Sequence, residues 1–257
     1  RERPYQLPFE VPFIFRSSYT EIFSGIKKMR APVSVIIPTF NSQSCLPKLL
    51  ASLFEGLDAG LIREVIVSDG GSYDQTCKIA SEAGCHIVQG KCGRGGQICE
   101  GLIKTGGDWC LILHADSELL HGWSDGFGKY LSDNSIAWYF RLRFSSPALM
   151  ARVTGTWANV RSYYFGAPYG DQGLLISNEL LNSVNGYSRI ALMEDLEMAR
   201  RLKGSLAMLP LTLLTDAQRY EKKGWVIQGA QNIWRVVRYM FGVSPDTLAK
   251  GYQDRKL

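Results

Sequence analysis

Four short acidic or glycine-rich stretches hold the residues best suited to chemistry. Asp116 follows the apolar run W-C-L-I-L and stands two residues before Glu118. A carboxylate at the end of an apolar strand is a natural ligand for a hard divalent cation, although the same Asp-Ser-Glu order could cap a helix by accepting its free backbone N–H groups. Glu194-Asp195 opens a segment whose other end carries Arg200, Arg201 and Lys203, the charge order that a helix dipole favours. In a chemical role, Asp195 would be a general base that takes the proton of an attacking hydroxyl. Asp69-Gly70-Gly71 lets backbone approach a ligand while the carboxylate accepts a hydrogen bond from a base N–H or a ribose hydroxyl, and it also reads as a plain glycine turn. Gly93-Arg94-Gly95-Gly96-Gln97 joins a flexible loop, a guanidinium suited to phosphate oxygens and a helix N-terminus. It lacks the G-K-[S/T] ending of a P-loop.

The elements that must position these residues can be read from periodicity. V-S-V-I-I-P, from Val33, is a continuous apolar run of strand length, and Leu46, Leu49, Leu50, Leu53, Phe54 and Leu57 then recur at helical spacing. E-V-I-V-S at 64–68 starts a second such unit, whose helix Asp74 could cap and Gly84 could end. A short strand at His86–Val88, a helix near 97–104 and a strand through W-C-L-I-L that ends at Asp116 follow. Further strands are expected at 137–144 and Gly173–Ser177, with helices from Glu194 and over Trp225–Phe241. Alternating strands and helices predict an α/β fold, a mostly parallel sheet with helices on both faces. Ligands of such sheets bind beyond the carboxyl ends of the strands, where Pro38-Thr39-Phe40-Asn41, Asp69-Gly70 and His114-Ala115-Asp116 should converge on one crevice.

The chain has 257 residues, 46% hydrophobic and 21% charged, which suits a globular domain and excludes disorder as the default. A formal charge of +5, with Lys and Arg spread along the chain, permits an anionic small ligand and points to no nucleic-acid partner. Cys45, Cys77, Cys85, Cys92, Cys99 and Cys110 form no C-x-x-C pair, and several lie in apolar runs. They read as free thiols in a reducing compartment, cytoplasmic or organelle interior. No apolar run reaches the roughly 18 residues of a spanning helix, and residues 1–30 lack the apolar core of a signal peptide. Because the chain does not begin with Met, a longer native N-terminus is expected. The expected division is a single domain at 31–220, with an aromatic and proline-rich arm at 1–30 and a C-terminal helical extension at 221–257.

In their order, these segments resemble the family 2 glycosyltransferases over roughly residues 33–220. V-S-V-I-I-P-T-F-N is similar to the family's opening strand and nucleotide-contacting loop, which implies that Pro38, Thr39 and Asn41 meet the nucleotide. E-V-I-V-S-D-G-G-S-Y-D resembles the second strand with its base-binding aspartate, here Asp69 followed by Gly70. G-R-G-G-Q is similar to a loop of a small soluble subgroup, with Arg94 and Gln97 near the nucleotide. L-H-A-D-S-E falls where the family's D-x-D metal motif lies, which implies Asp116 as metal ligand, with His114 and Ala115 beside it. G-D-Q-G and M-E-D-L-E resemble the acceptor-side segment, with Asp171 and Gln172, and the E-D catalytic motif, with Glu194 and Asp195. The resemblance implies a Rossmann-like GT-A fold, a Mn²⁺ or Mg²⁺ ion, a nucleotide-sugar donor of the UDP type, a hydroxyl acceptor and inversion at the anomeric carbon.

Two departures and two rival readings accompany it. His114 occupies the first position of D-x-D, where imidazole would suit Mn²⁺ better than Mg²⁺ or act only as a structural partner. Ser68-Asp69-Gly70 stands where many members carry paired aspartates. D-A-Q-R-Y loosely echoes the Q-x-x-R-W element of processive members; without membrane helices, single transfer is expected, and Arg219 could face the donor diphosphate or an anionic acceptor. A sugar nucleotidyltransferase would place G-x-G-x-R after its first strand, where this chain has P-T-F-N. A non-catalytic module of the same fold could lay Trp225–Phe241, with Arg235 and Arg238, on an anionic bilayer as a peripheral contact. The alternative is that this helix packs on its own domain or on a second subunit of a homodimer.

Overall fold

The structure, a computed structural model, describes residues 31–90 and 93–253. The expected arm at 1–30 and Cys92 lie outside the described residues. Alternation of strand and helix holds through the first half: β1 (Val33–Thr39), α1 (Leu46–Asp58), β2 (Ile62–Asp69), α2 (Thr76–Glu82), β3 (His86–Gln89), α3 (Arg94–Leu102) and β4 (Trp109–Ile112). These are followed by β5 (Ser117–Leu119), β6 (Ala137–Phe144), α4 (Leu149–Phe165), β7 (Leu174–Ser177), α5 (Asn178–Ser183) and α6 (Glu194–Arg201). The described chain closes with β8 (Leu206–Thr215), α7 (Gln218–Lys223), α8 (Trp225–Met240) and α9 (Pro245–Gln253).

The strands form one sheet in the order β3-β2-β1-β4-β7-β6-β8-β5. β3, β2, β1 and β4 run parallel, while β7 pairs antiparallel with β4. The central strands are buried on both faces, as continuous apolar runs require. Val35, Ile37 and Leu111 pack with α1 residues on one side, and Ile36, Cys110, Ile112 and Met198 pack on the other. Asp74 holds the start of α2 by accepting the Thr76 N–H at 2.9 Å, and Gly84, at φ 78°, ends it. Among the described residues Cys45, Cys77, Cys85, Cys99 and Cys110 are free, and burial pushes the Cys45 and Cys110 thiols up to about 11.

The boundaries differ from expectation where chemistry is expected. β4 stops at Ile112, so His114 and Asp116 sit in a turn closed by the Ser117 N–H donating to the His114 carbonyl at 3.0 Å. Residues 117–119 then form β5 instead of a helix, which removes the helix-cap reading of Asp116. α3 begins at Arg94, three residues before the expected start, and so carries that guanidinium in its first turn.

Candidate active site

The order of strands reverses between β1 and β4, the place where open α/β sheets bind ligands. Beyond the ends of these strands lies a pocket of about 140 Å³ lined by Arg94, His114, Asp116, Asp171, Glu194, Asp195 and Arg219, among others. Seven sequence-predicted residues therefore meet in one place. They come from five turns or helix starts: α3, the β4–β5 turn, the Gly170–Gln172 turn, the beginning of α6, and α7.

Asp195 is held from both sides. Its Oδ2 accepts the Gly170 N–H at 2.7 Å and its Oδ1 accepts the Leu196 N–H at 2.7 Å. Before it stands Met193, a non-glycine residue at φ 69°, a backbone state that L residues adopt only at a cost. Glu194 lies 3.9 Å from the Arg94 guanidinium, is 2% exposed and leaves Oε2 without a partner. Burial and then the neighbouring Asp195 raise its pKa to about 7, against the pull of Arg94. A dipole-matched helix start accounts for the position of these acids but not for an unpartnered buried carboxylate oxygen.

Burial also pushes the Asp116 carboxyl upward, but His114, whose Nδ1 contacts Asp116 Oδ1, together with Arg219 and Arg94, outweighs it and leaves the pKa at about 2. Asp116 is therefore a permanent anion facing the pocket. Asp171 is raised by burial, and its Oδ1 has no partner. Among the described residues no three His, Cys, Asp or Glu side chains are grouped to hold a metal unaided. One firm carboxylate with unsatisfied carboxylate oxygens nearby fits a hard cation that keeps waters and shares substrate phosphate oxygens.

Of the other predicted residues, Thr39, Asn41, Asp69, Gly70 and Gln97 form a separate, internally bonded cluster at the ends of β1 and β2. Asp69 accepts the Thr39 and Ser72 hydroxyls on Oδ1 and the Gly71 and Ser72 N–H groups on Oδ2. These four bonds fill its acceptor sites and hold its pKa below the ordinary value despite burial. Gln97 donates its amide to the Thr39 and Ser68 carbonyls at 2.6 and 2.9 Å, and Gly70 lies directly against that amide. Asn41, at φ 49°, accepts the Tyr73 N–H. Pro38 and His114 line a second, mostly apolar cavity together with Arg94 and Glu194, while Ala115 is buried in the core. Gln172 is also interior: Ser162 and Arg161 donate to it.

Sequence reading missed Tyr169, Asp216, Gln228 and Asn232, which also line the 140 Å³ pocket, and it turned Arg235 toward a bilayer where the structure places it in the pocket lining. Gln228, Asn232 and Arg235 stand at i, i+4 and i+7 on α8, so a polar stripe along one face of that helix was the available signal. Arg161 stacks on the Tyr169 ring, 3.4 Å from its centroid.

A sheet reversing between β1 and β4, with charged groups beyond their ends, defines an open α/β protein with a ligand crevice at its switch point. The family model for glycosyl transferase family 2 matches residues 34–163, about half of the chain, and the chain belongs to that family. It is similar to the dolichyl-phosphate beta-glucosyltransferase of Dictyostelium discoideum, 29% identical over 99 residues that cover 33% of this chain and 30% of that protein. In structure it is similar to the 1–349 fragment of S. aureus TarS in complex with UDP-GlcNAc, with a TM-score of 0.55, 15% identity and coverage of 72% and 58%. It is also similar to glucosyl-3-phosphoglycerate synthase from Mycobacterium tuberculosis in complex with Mg²⁺ and UDP, with a TM-score of 0.51, 20% identity and coverage of 72% and 70%. These likenesses establish the GT-A fold. The chain spans 23% and 30% of the lengths of the curated relatives it matches. No helix among the described residues is long and apolar enough to cross a membrane.

Proposed function

We propose that this chain transfers a sugar from a nucleotide-sugar, a UDP-sugar, to an acceptor hydroxyl by a single inverting displacement with Asp195 as general base. The observation that carries the reading is Asp195 fixed by the Gly170 N–H in the same pocket as Asp116, Arg94 and Arg219. In the step, the acceptor hydroxyl gives its proton to Asp195 while its oxygen bonds to the anomeric carbon. The bond from that carbon to the diphosphate oxygen breaks, and the electron pair leaves with the diphosphate. Arg94 and Arg219 supply guanidinium donors for phosphate oxygens. Asp116, with His114 as its partner, is the residue to hold Mn²⁺ or Mg²⁺, which when bound would neutralise charge on the leaving diphosphate. Glu194, near half-protonated at neutral pH, limits the negative charge beside Asp195. Asp171 is assigned to the acceptor side. Gln97 and Gln172 shape the site from behind, and Asp69 would meet the base by exchanging the Ser72 hydroxyl for a base N–H.

Support for UDP lies in the two solved structures, whose ligands are UDP-GlcNAc and UDP. Thermal melting of the chain against UDP-, GDP- and dTDP-sugars, with and without Mn²⁺, tests the reading, because a ligand of the folded state raises apparent stability. A Mn²⁺-dependent rise with UDP-sugars is expected. A rise with GDP- or dTDP-sugars alone would replace the donor class, and no rise with any donor would sink the proposal.

A further inference from the structure

Two helices turn their apolar faces outward. In α4, Leu149, Met150, Val153, Trp157, Val160 and Tyr164 are exposed, and at 3.6 residues per turn they fall within an arc of about 100°. The opposite side of α4 packs inward through the small residues Ala151, Gly155, Ala158 and Ser162. α8 shows the same inversion: Val226, Ile233, Trp234 and Met240 look outward, whereas Gln228, Asn232 and Arg235 line the pocket. The two helices touch each other. Trp157 is 51% exposed, Trp234 62% and Phe241, just after α8, 86%. A surface helix ordinarily has the reverse polarity, and apolar surface gathered in this way marks an interaction site.

Charge selects the partner. Of the seven Lys or Arg residues in α4, α7 and α8, Arg161, Arg219 and Arg235 are turned toward Tyr169 or the pocket, which leaves Arg152, Lys222, Lys223 and Arg238 against one acid in the three helices, Glu221. Beside α4 runs an open groove lined by Arg141, Arg143 and Arg152, with no acid among its described lining residues. A second copy of the chain would bring the same positive field against itself across a two-fold axis. An anionic bilayer offers what both features need, hydrocarbon at the headgroup boundary and phosphates beside it.

We propose that α4 and α8 dock this chain on an anionic lipid bilayer, with Trp157, Trp234 and Phe241 entering the headgroup boundary and the Arg141–Arg143–Arg152 groove receiving lipid phosphates. Docking of this kind leaves the polar side of α8, and the pocket it lines, facing away from the bilayer at a distance of about one helix diameter, roughly 10 Å. The inference stands independently of sugar transfer.

Flotation of the full chain with vesicles tests it, using phosphatidylcholine alone and phosphatidylcholine mixed with phosphatidylglycerol. Binding to the mixed vesicles, weakened by salt, is expected, with little binding to the neutral ones. Joint substitution of Trp157→Ser and Trp234→Ser should lower binding roughly tenfold or more, and Arg141→Glu with Arg143→Glu should abolish the preference for anionic lipid. Circular-dichroism melts identify variants that keep the fold. Equal binding to both vesicle types, undiminished binding by the folded double-Trp variant, or a dimer in light scattering that this variant dissociates would each overturn the proposal.

Discussion

Replacing Glu194 by Gln should alter how the stability of this fold depends on pH. The Glu194 carboxyl is 2% exposed, and burial followed by Asp195 raises its pKa from 4.5 to about 7, with Arg94 opposing. Below pH 4.5 both folded and unfolded chains hold the proton, and the site costs nothing. Between 4.5 and 7 the unfolded chain releases it while the fold keeps it, so stability falls as pH rises, and above 7 the full penalty persists. A shift of this size corresponds to about 3 kcal/mol, of which about 2 kcal/mol develops between pH 5 and pH 8. Gln keeps the shape and cannot ionise. Urea denaturation of both proteins at pH 5 and pH 8 should show Glu194→Gln gaining about 2 kcal/mol on the parent over that interval. Parallel pH profiles for the two proteins would refute the reasoning, because they would mean that the Glu194 carboxyl is ionised in the fold.

Asp116→Asn should abolish the metal-dependent part of UDP-sugar binding, a loss of roughly ten- to a hundredfold read by calorimetric titration with and without Mn²⁺. Gln97→Leu removes the side-chain amide from the buried Thr39 and Ser68 carbonyls, of which Thr39 keeps the Gly70 N–H at 2.9 Å, and should cost about 1–3 kcal/mol in urea denaturation. In Gly95→Ala the new Cβ would lie 2.3 Å from the Ser188 carbonyl oxygen and 2.5 Å from that of Ile190. Backbone must move there, and a loss of about 1–3 kcal/mol is expected from a thermal melt.

The first half of the fold was legible because its strands are buried on both faces and its helices alternate with them; Val33–Thr39 and Leu46–Asp58 show both patterns openly. The second half hid two long elements. α4 buries only small residues and exposes its large ones, so no apolar stripe faced an expected core. β8 contains Pro210, which argues against a strand, but the β6–β8 register jumps from Tyr139↔Met208 to Arg141↔Thr212, and that irregularity accommodates the proline. At the site, Asp116, Glu194 and Asp195 could be singled out by charge at element boundaries. The bonds that fill the Asp69 carboxylate and the inward amides of Gln97 and Gln172 follow from tertiary neighbours, among them Ser162, Arg161 and the end of β1, that no local pattern encodes.

Release of UDP from a UDP-sugar in the presence of Mn²⁺, with water standing in for the acceptor hydroxyl, measured for the parent and for Asp195→Asn alongside donor affinity, tests the general base most directly. The account predicts UDP release by the parent, donor affinity for Asp195→Asn within a few-fold, and turnover lower by about 10²–10⁴. Turnover by Asp195→Asn at the parent's rate would contradict it.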